Sequence, residues 1–206
     1  WLGTTSYVYA KSGREWNDVL NQAGKLESEH GYEVDAIMIF MGTNDFKHVE
    51  GVAGMPPFDA NGSVITPNLG TYEAVDFGEL ITTNGDGSFT YQDPTTTMEA
   101  YAISFHKMQQ RYPDSQLYVM NILPFKANKQ QPTAFNEDIR QMADHFKAIL
   151  VDLEKCGLEA DAKSFEYLME DWLHPNLKGM EVLANAFEST VRNNSELYSD
   201  DFVNVI

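Results

Sequence analysis

Basic residues are scarce in this sequence. Its 206 residues include 14 lysines and arginines against 31 aspartates and glutamates, which gives a formal net charge of −17. Because phosphate binding needs a basic surface, this balance argues against a nucleic-acid partner. Apolar residues nevertheless make up 43% of the chain, which is enough for a globular domain with a sizeable core.

Cysteine and long apolar runs are also nearly absent. The single cysteine, Cys156, excludes an intramolecular disulfide and leaves a cytoplasmic and a secreted setting equally open. No apolar run is long enough to span a bilayer.

No glycine-rich phosphate loop follows a predicted strand, which argues against a flavodoxin-like nucleotide binder. Four histidines lack metal-ligand spacing and are expected at surface or helix-flanking positions: His30, His48, His106 and His145. We therefore expect neither a metal nor a cofactor.

Apolar periodicity predicts alternating strands and helices. Residues 34–41 form a nearly continuous apolar run, which is typical of a strand buried on both faces of a parallel sheet. The other predicted strands span residues 6–10, 116–123 and 148–153. The predicted helices span residues 15–28, 97–112, 134–147 and 176–194. This alternation favours an α/β fold, with a mainly parallel sheet and helices on both faces.

A segment from about residue 46 to 95 interrupts this pattern. Glycine, proline, asparagine, aspartate and threonine dominate it, and the turn signals Asn61-Gly62 and Asn84-Gly85 predict one or two hairpins. We expect an insertion within a single domain that spans residues 1–206. Because it leaves the sheet directly after Asn44 and Asp45, we predict that it forms part of the rim of a cleft at that edge.

The first candidate functional motif is Gly42-Thr43-Asn44-Asp45. It follows the buried strand at its carboxyl end, where open α/β sheets bind their ligands. An asparagine amide at that position can donate a hydrogen bond to a developing oxyanion. Glycine, asparagine and aspartate are also ordinary turn formers, so the motif alone fits a plain strand-to-loop turn.

The second candidate is Asp171-Trp172-Leu173-His174. Two intervening residues let the carboxylate reach back to the imidazole, fix its tautomer and leave the other ring nitrogen as a base. An acidic surface loop before the helix start at Pro175 is the competing interpretation. A third, weaker signal is Ser12-Gly13 after the first predicted strand, where a glycine lets a backbone N–H approach a substrate.

Taken in this order, the three motifs resemble blocks II, III and V of the SGNH, or GDSL-type, hydrolase family. The resemblance continues through Arg111-Tyr112-Pro113 and the strand that follows it, and it covers nearly the whole chain. It implies a flavodoxin-like three-layer α/β/α sandwich. It also implies that Gly13 and Asn44 donate to an oxyanion, that His174 is the general base and that Asp171 orients it.

One block of the family is missing from this sequence. Block I, Gly-Asp-Ser-Leu or a close variant, follows the family's first strand and supplies the nucleophilic serine. No segment here matches it. Ser12 precedes Gly13, the glycine of block II, so it belongs to block II and is not the nucleophile. We therefore expect the first strand and the serine in a segment upstream of Trp1, which completes the sheet and brings the serine to His174.

The resemblance implies a serine esterase that acts on a small-molecule ester through an acyl-serine intermediate. By analogy with the family, we favour a short acyl group on a carbohydrate or a small alcohol as the substrate class. The alternative is a non-catalytic binding module on the same fold that has lost its nucleophile. The presence of both Asp171 and His174 favours the enzyme.

Overall fold

A computed structural model describes residues 5–50 and 68–194 of the chain. Its described backbone divides into two compact units, one formed by residues 5–37, 41–50 and 68–115 and the other by residues 38–40 and 116–194. In the described ranges, no helix is both long enough and apolar enough to cross a bilayer.

The first unit is built around one long helix. Its helices are α1 (Val19–His30), α2 (Thr43–Val49), α3 (Phe77–Leu80) and α4 (Thr97–Arg111), with 3-10 turns at Trp16–Asp18 and Tyr72–Ala74. Thr96 and Glu99 form a capping box at the start of α4, which satisfies N–H groups of the first turn. On α4, Tyr101 and Phe105 are fully buried, and the Trp16 ring lies 3.5 Å from the Tyr101 ring between centroids. This aromatic contact anchors the loop before α1 on the core of the unit.

The predicted hairpin at Asn84-Gly85 is confirmed. Strands β2 (Ile81–Thr83) and β3 (Phe89–Tyr91) pair antiparallel, and the Asn84 N–H donates to the carbonyl of Ser88 at 2.8 Å. The other turn signal, Asn61-Gly62, lies outside the described residues. Residues 46–49, which the sequence assigns to the start of the insertion, continue helix α2. The role of the insertion at a cleft rim stays a prediction.

The second unit contains a three-stranded sheet in the order β1-β4-β5. These strands are β1 (Ala36–Phe40), β4 (Gln116–Met120) and β5 (Ile149–Val151), and β4 pairs parallel with β5. The helices of the unit are α5 (Thr133–His145), α6 (Lys163–Leu168) and α7 (Leu177–Asn194), and α5 and α7 pack against β5. The predicted α/β fold with a mainly parallel sheet is therefore confirmed.

Strand β4 is shorter than its apolar run predicts. It ends at Met120, because side-chain amides take over the hydrogen bonds of the next residues. Asn136 accepts from the Ile122 N–H and donates to the Ile122 carbonyl, both at 2.8 Å, and Asn121 accepts from the Leu153 N–H at 2.6 Å. Both asparagines are fully buried, so these bonds satisfy backbone groups that a longer strand would pair.

The predicted strand at residues 6–10 is wrong. The segment has no regular secondary structure, and it lies instead against the end of α1. The Tyr7 ring stacks on His30 at 3.7 Å between centroids, and the Tyr9 hydroxyl donates to Glu29 at 2.8 Å. Tyr7 and Val8 are both exposed, so the segment buries no apolar face that would hold it in a sheet.

Candidate active site

Asp171 and His174 form a hydrogen-bonded pair in a tight turn. The Asp171 Oδ2 atom lies 2.8 Å from His174 Nδ1. The other carboxylate oxygen, Oδ1, accepts from the backbone N–H groups of Leu173 and His174, each at 2.7 Å. The carboxylate thus holds both the turn and the imidazole ring, as the spacing Asp-x-x-His predicts.

The turn is closed at its base by backbone contacts. The Glu170 N–H donates to the His174 carbonyl at 2.7 Å, Met169 and Pro175 form a bridge, and the Asn176 N–H donates to the Leu168 carbonyl at 2.9 Å. Asn176 then begins α7, because its Oδ1 atom accepts from the N–H groups of Lys178 and Gly179. His174 is therefore held between the end of α6 and the start of α7.

Trp172 fixes the tip of the turn. Its ring meets Phe125 edge to face at 5.6 Å, and its carbonyl accepts from the Lys126 N–H at 3.2 Å. Phe125 is fully buried, and Gln131 bonds both its N–H and its carbonyl. The aromatic residue between the aspartate and the histidine therefore ties the turn to the segment after β4.

The electrostatics of the pair keep Asp171 ionised. Desolvation alone would raise the pKa of Asp171, but the hydrogen bond to His174 and the two backbone N–H donors outweigh it and hold the pKa at about 2. A carboxylate on Nδ1 leaves the second ring nitrogen, Nε2, as the basic atom. The side chain of His174 is 69% exposed. Within the described part of its own unit, His174 forms hydrogen bonds with Glu170 and Asp171, and none with a serine.

Gly13 and Asn44 lie in the first unit. Gly13 occupies a turn with a φ of +75°, a conformation that favours glycine, and a side chain added there would meet nothing within 4 Å. Asn44 lies in the first turn of α2, two residues after the left-handed Gly42. Its Nδ2 atom donates to the carbonyl of Arg14 at 2.8 Å, which ties it to the residue next to Gly13. The amide carries a second N–H, so one donor is left for a ligand.

The sequence indicated no role for three residues beside these two, although Asp45 belongs to the first candidate motif and His48 was expected at a surface or helix-flanking position. The carboxyls of Glu15 and Asp45 are buried, and the ring of His48, in the last turn of α2, turns inward to meet Glu15 with a distance of 2.5 Å between Nδ1 and Oε1. Burial, and then the nearby Glu15, raise the pKa of Asp45 to about 8, although the Trp16 N–H donates to Asp45 at 3.2 Å. The signal available in the sequence was the acidic residue two positions after Gly13, which composition alone does not distinguish from a surface glutamate.

The described residues contain no cluster of three or more histidine, cysteine, aspartate or glutamate side chains arranged to hold a metal ion. Their chemistry is that of hydrogen-bond donors and one oriented imidazole. The donors belong to the first unit and the imidazole to the second, and each is held by its own local structure.

Comparison with known proteins identifies the class to which this fold and these motifs belong. The chain is a member of the GDSL-like lipase/acylhydrolase family, whose model matches residues 2–182. The resemblance predicted from the three motifs is therefore confirmed. Among curated proteins, no match to the chain was found.

Solved structures with the same fold include three described as lipases or hydrolases. A GDSL-like protein from Parabacteroides merdae is 15% identical with a TM-score of 0.53, and the match covers 89% of this chain and 71% of that one. A possible lipase from Chitinophaga pinensis is 16% identical with a TM-score of 0.55, over 88% of this chain and 80% of that one. An alpha/beta hydrolase enzyme from the metagenome of Lake Arreo in Spain is 18% identical with a TM-score of 0.51, over 91% of this chain and 71% of that one. At these identities the structures support the fold alone.

Proposed function

We propose that this protein is a serine-dependent carboxylic ester hydrolase that acts on a small-molecule ester. The observation that carries the proposal is the Asp171–His174 pair, in which one carboxylate oxygen orients the imidazole while the other accepts two backbone N–H groups. A surface turn does not need a carboxylate with all three of these contacts. Membership of the GDSL-like family supports the same chemistry.

In the proposed reaction, Nε2 of His174 takes the proton from a serine hydroxyl as its oxygen attacks the ester carbonyl. The backbone N–H of Gly13 and the side-chain amide of Asn44 donate to the oxyanion that forms. The imidazolium, stabilised by Asp171, returns the proton to the leaving alcohol, and an acyl-serine remains. His174 then deprotonates a water molecule, which releases the acid and restores the serine.

We place the serine on a segment upstream of Trp1 that completes the sheet beside β1. Support for this comes from the exposure of β1 itself. Its five residues are all apolar, yet Met38 is 51% exposed and Phe40 is 42% exposed. In the described part of the chain, β1 lies at the end of the sheet order with β4 as its neighbour. Exposed apolar side chains on β1 are what we expect if a further strand of the complete protein packs beside it and covers them.

The substrate class within this proposal is a short acyl group on a carbohydrate or a small alcohol. The family resemblance supports this class, because the residues of the site recognise only the ester carbonyl. Hydrolysis of acetylated sugars and of short-chain aryl esters by the complete protein tests it directly.

The proposal is tested by substituting the two members of the pair. We expect His174→Ala to reduce kcat by several orders of magnitude, because it removes the base. Asp171→Asn should also reduce kcat, since an amide no longer holds the correct tautomer. Steady-state kinetics on a p-nitrophenyl ester, with thermal unfolding as the control for folding, measures both. Turnover by His174→Ala within tenfold of the parent would contradict the proposed role. A complete protein whose upstream segment lacks a serine would instead favour the binding module.

A further inference from the structure

The loop after Gly13 is bonded to α2 by three consecutive residues. The carbonyl of Arg14 accepts from Asn44, the carboxyl of Glu15 meets His48, and the N–H of Trp16 donates to Asp45. We call this set of six residues the loop–helix clamp. Asn44 and His48 are four residues apart and share one face of α2, so the helix presents both to the same loop.

The clamp is built from buried polar groups. Glu15 is 3% exposed and Asp45 is 6% exposed, while the side chain of His48 is 21% exposed. Hydrogen bonds that are shielded from water fix geometry more strongly than exposed ones, and they specify one arrangement. Helix α2 has only seven residues, too few to be stable on its own, so its position depends on such contacts.

Both proposed oxyanion donors are attached to this clamp. Gly13 directly precedes Arg14, the first loop residue of the clamp, and Asn44 is itself a member. The spacing between a backbone donor and a side-chain donor must match the oxyanion, and errors of about 1 Å reduce the rate strongly. A contact that holds the loop on α2 therefore sets the distance between the two donors.

We infer that Glu15 and His48 are positioning residues, which hold the loop of Gly13 against the helix of Asn44 so that both donors meet one oxyanion. The inference rests on the proposed function and goes beyond it, because neither residue belongs to the three family motifs. If the contact between Glu15 and His48 is broken, Asn44 keeps its amide but is no longer held in position. We therefore expect the loss to appear in stabilisation of the transition state and not in binding of the substrate.

His48 offers a discriminating pair of substitutions, because it meets Glu15 through Nδ1. The Nδ2 amide of an asparagine is as many bonds from the backbone as Nδ1 of histidine, so it can meet Glu15. The amide of a glutamine is one bond further out and corresponds to Nε2 of histidine. We expect His48→Ala to lower kcat by about 10- to 100-fold and to leave KM within about twofold of the parent. His48→Asn should recover most of that loss, and His48→Gln should recover little of it.

The matched control is Glu27→Ala in the same unit. The side chain of Glu27 is 18% exposed, close to the value for His48, and it pairs with Arg111 at 3.2 Å on α4. This variant should lose stability without a selective loss of kcat. If His48→Ala keeps the parental kcat, or if His48→Asn and His48→Gln are equally impaired, the inference is wrong. Should His48→Ala fail to fold, the comparison of Asn with Gln decides alone.

A second readout separates this inference from the proposed function. The Trp16 N–H is bonded inside the clamp, so its hydrogen exchange reports whether the loop is held. We expect faster exchange of this amide in His48→Ala than in the parent and His48→Asn. If the complete protein hydrolyses no ester, the proposed function fails whatever the exchange shows. If exchange at Trp16 is the same in all three proteins, the clamp does not hold the loop and the inference is overturned.

Discussion

At the scale of single residues, the buried carboxyl of Asp45 makes stability depend on pH. Desolvation, with Glu15 nearby, raises its pKa to about 8. The ionisable groups that interact with it are Glu15 in the loop and Tyr101 on α4. At neutral pH the folded protein therefore holds a proton on Asp45 that the unfolded chain releases.

This proton uptake makes the free energy of unfolding fall as pH rises. The raised folded-state pKa favours folding fully below the unfolded value of 3.8, and the effect is lost as pH rises from there to about 8. The slope in this window is at most about 1.4 kcal/mol per pH unit. Asp45→Asn keeps an acceptor for the Trp16 N–H and cannot ionise. We expect the free energy of unfolding of this variant, minus that of the parent, to be larger at pH 8 than at pH 5 when both are measured by urea unfolding. An equal difference at both pH values would show that Asp45 is already ionised in the folded protein.

The sequence predicted some of these residues and not others for a physical reason. Asp171 and His174 were predictable, because three residues of separation suffice to close the turn that joins them. Glu15 and His48 are 33 positions apart, and their contact depends on how the loop and α2 fold together. A glutamate in isolation reads as a surface residue, so its burial is visible only in the structure.

At the scale of elements, two glycines in helices give opposite predictions for one substitution. On α7, a Cβ at Gly179 would lie 2.1 Å from the carbonyl oxygen of Leu168, which accepts the hydrogen bond at the base of the His174 turn. On α1, a Cβ at Gly24 would meet nothing within 4 Å. We expect Gly179→Ala to destabilise the protein by about 1–3 kcal/mol. Gly24→Ala should stabilise it by up to about 1 kcal/mol, through helix propensity.

Urea unfolding of the two alanine variants measures both effects against the same parent. The Gly179 variant should also lose the proposed esterase activity, because a shift of α7 displaces the turn that carries His174. If Gly179→Ala left stability unchanged or raised it, the contact with Leu168 would relax without cost, and α7 would not set the position of the turn.

Helix α4 and the segment at residues 6–10 show what the sequence predicts well and poorly among elements. Helix α4 was predicted almost to the residue, because its apolar residues recur at helical spacing and Pro113 follows its end. The structure adds the capping box of Thr96 and Glu99 at its start. Residues 6–10 have the composition of a strand. A strand also needs a second strand to pair with, and the local sequence does not indicate whether one is present. Helix α6 was not predicted, because six residues are too short for a periodic signal.

At the scale of the whole molecule, the sequence predicted the fold class and the family through the order of its motifs. Each motif alone fits an ordinary turn, and their order along alternating strands and helices favours one family, which the match over residues 2–182 confirms. The long segment after α2 was harder to predict, because its turn residues allow several hairpins, of which the pair β2–β3 is described.

The central claim is that a serine from an upstream segment acts with His174. The most direct test labels the complete protein with a fluorophosphonate and locates the adduct by intact mass and peptide mapping. We predict one adduct per chain, on a serine upstream of Trp1, and its loss in the His174→Ala variant. An adduct on a serine within residues 1–206, or no adduct on a folded protein that contains the upstream segment, would contradict the account.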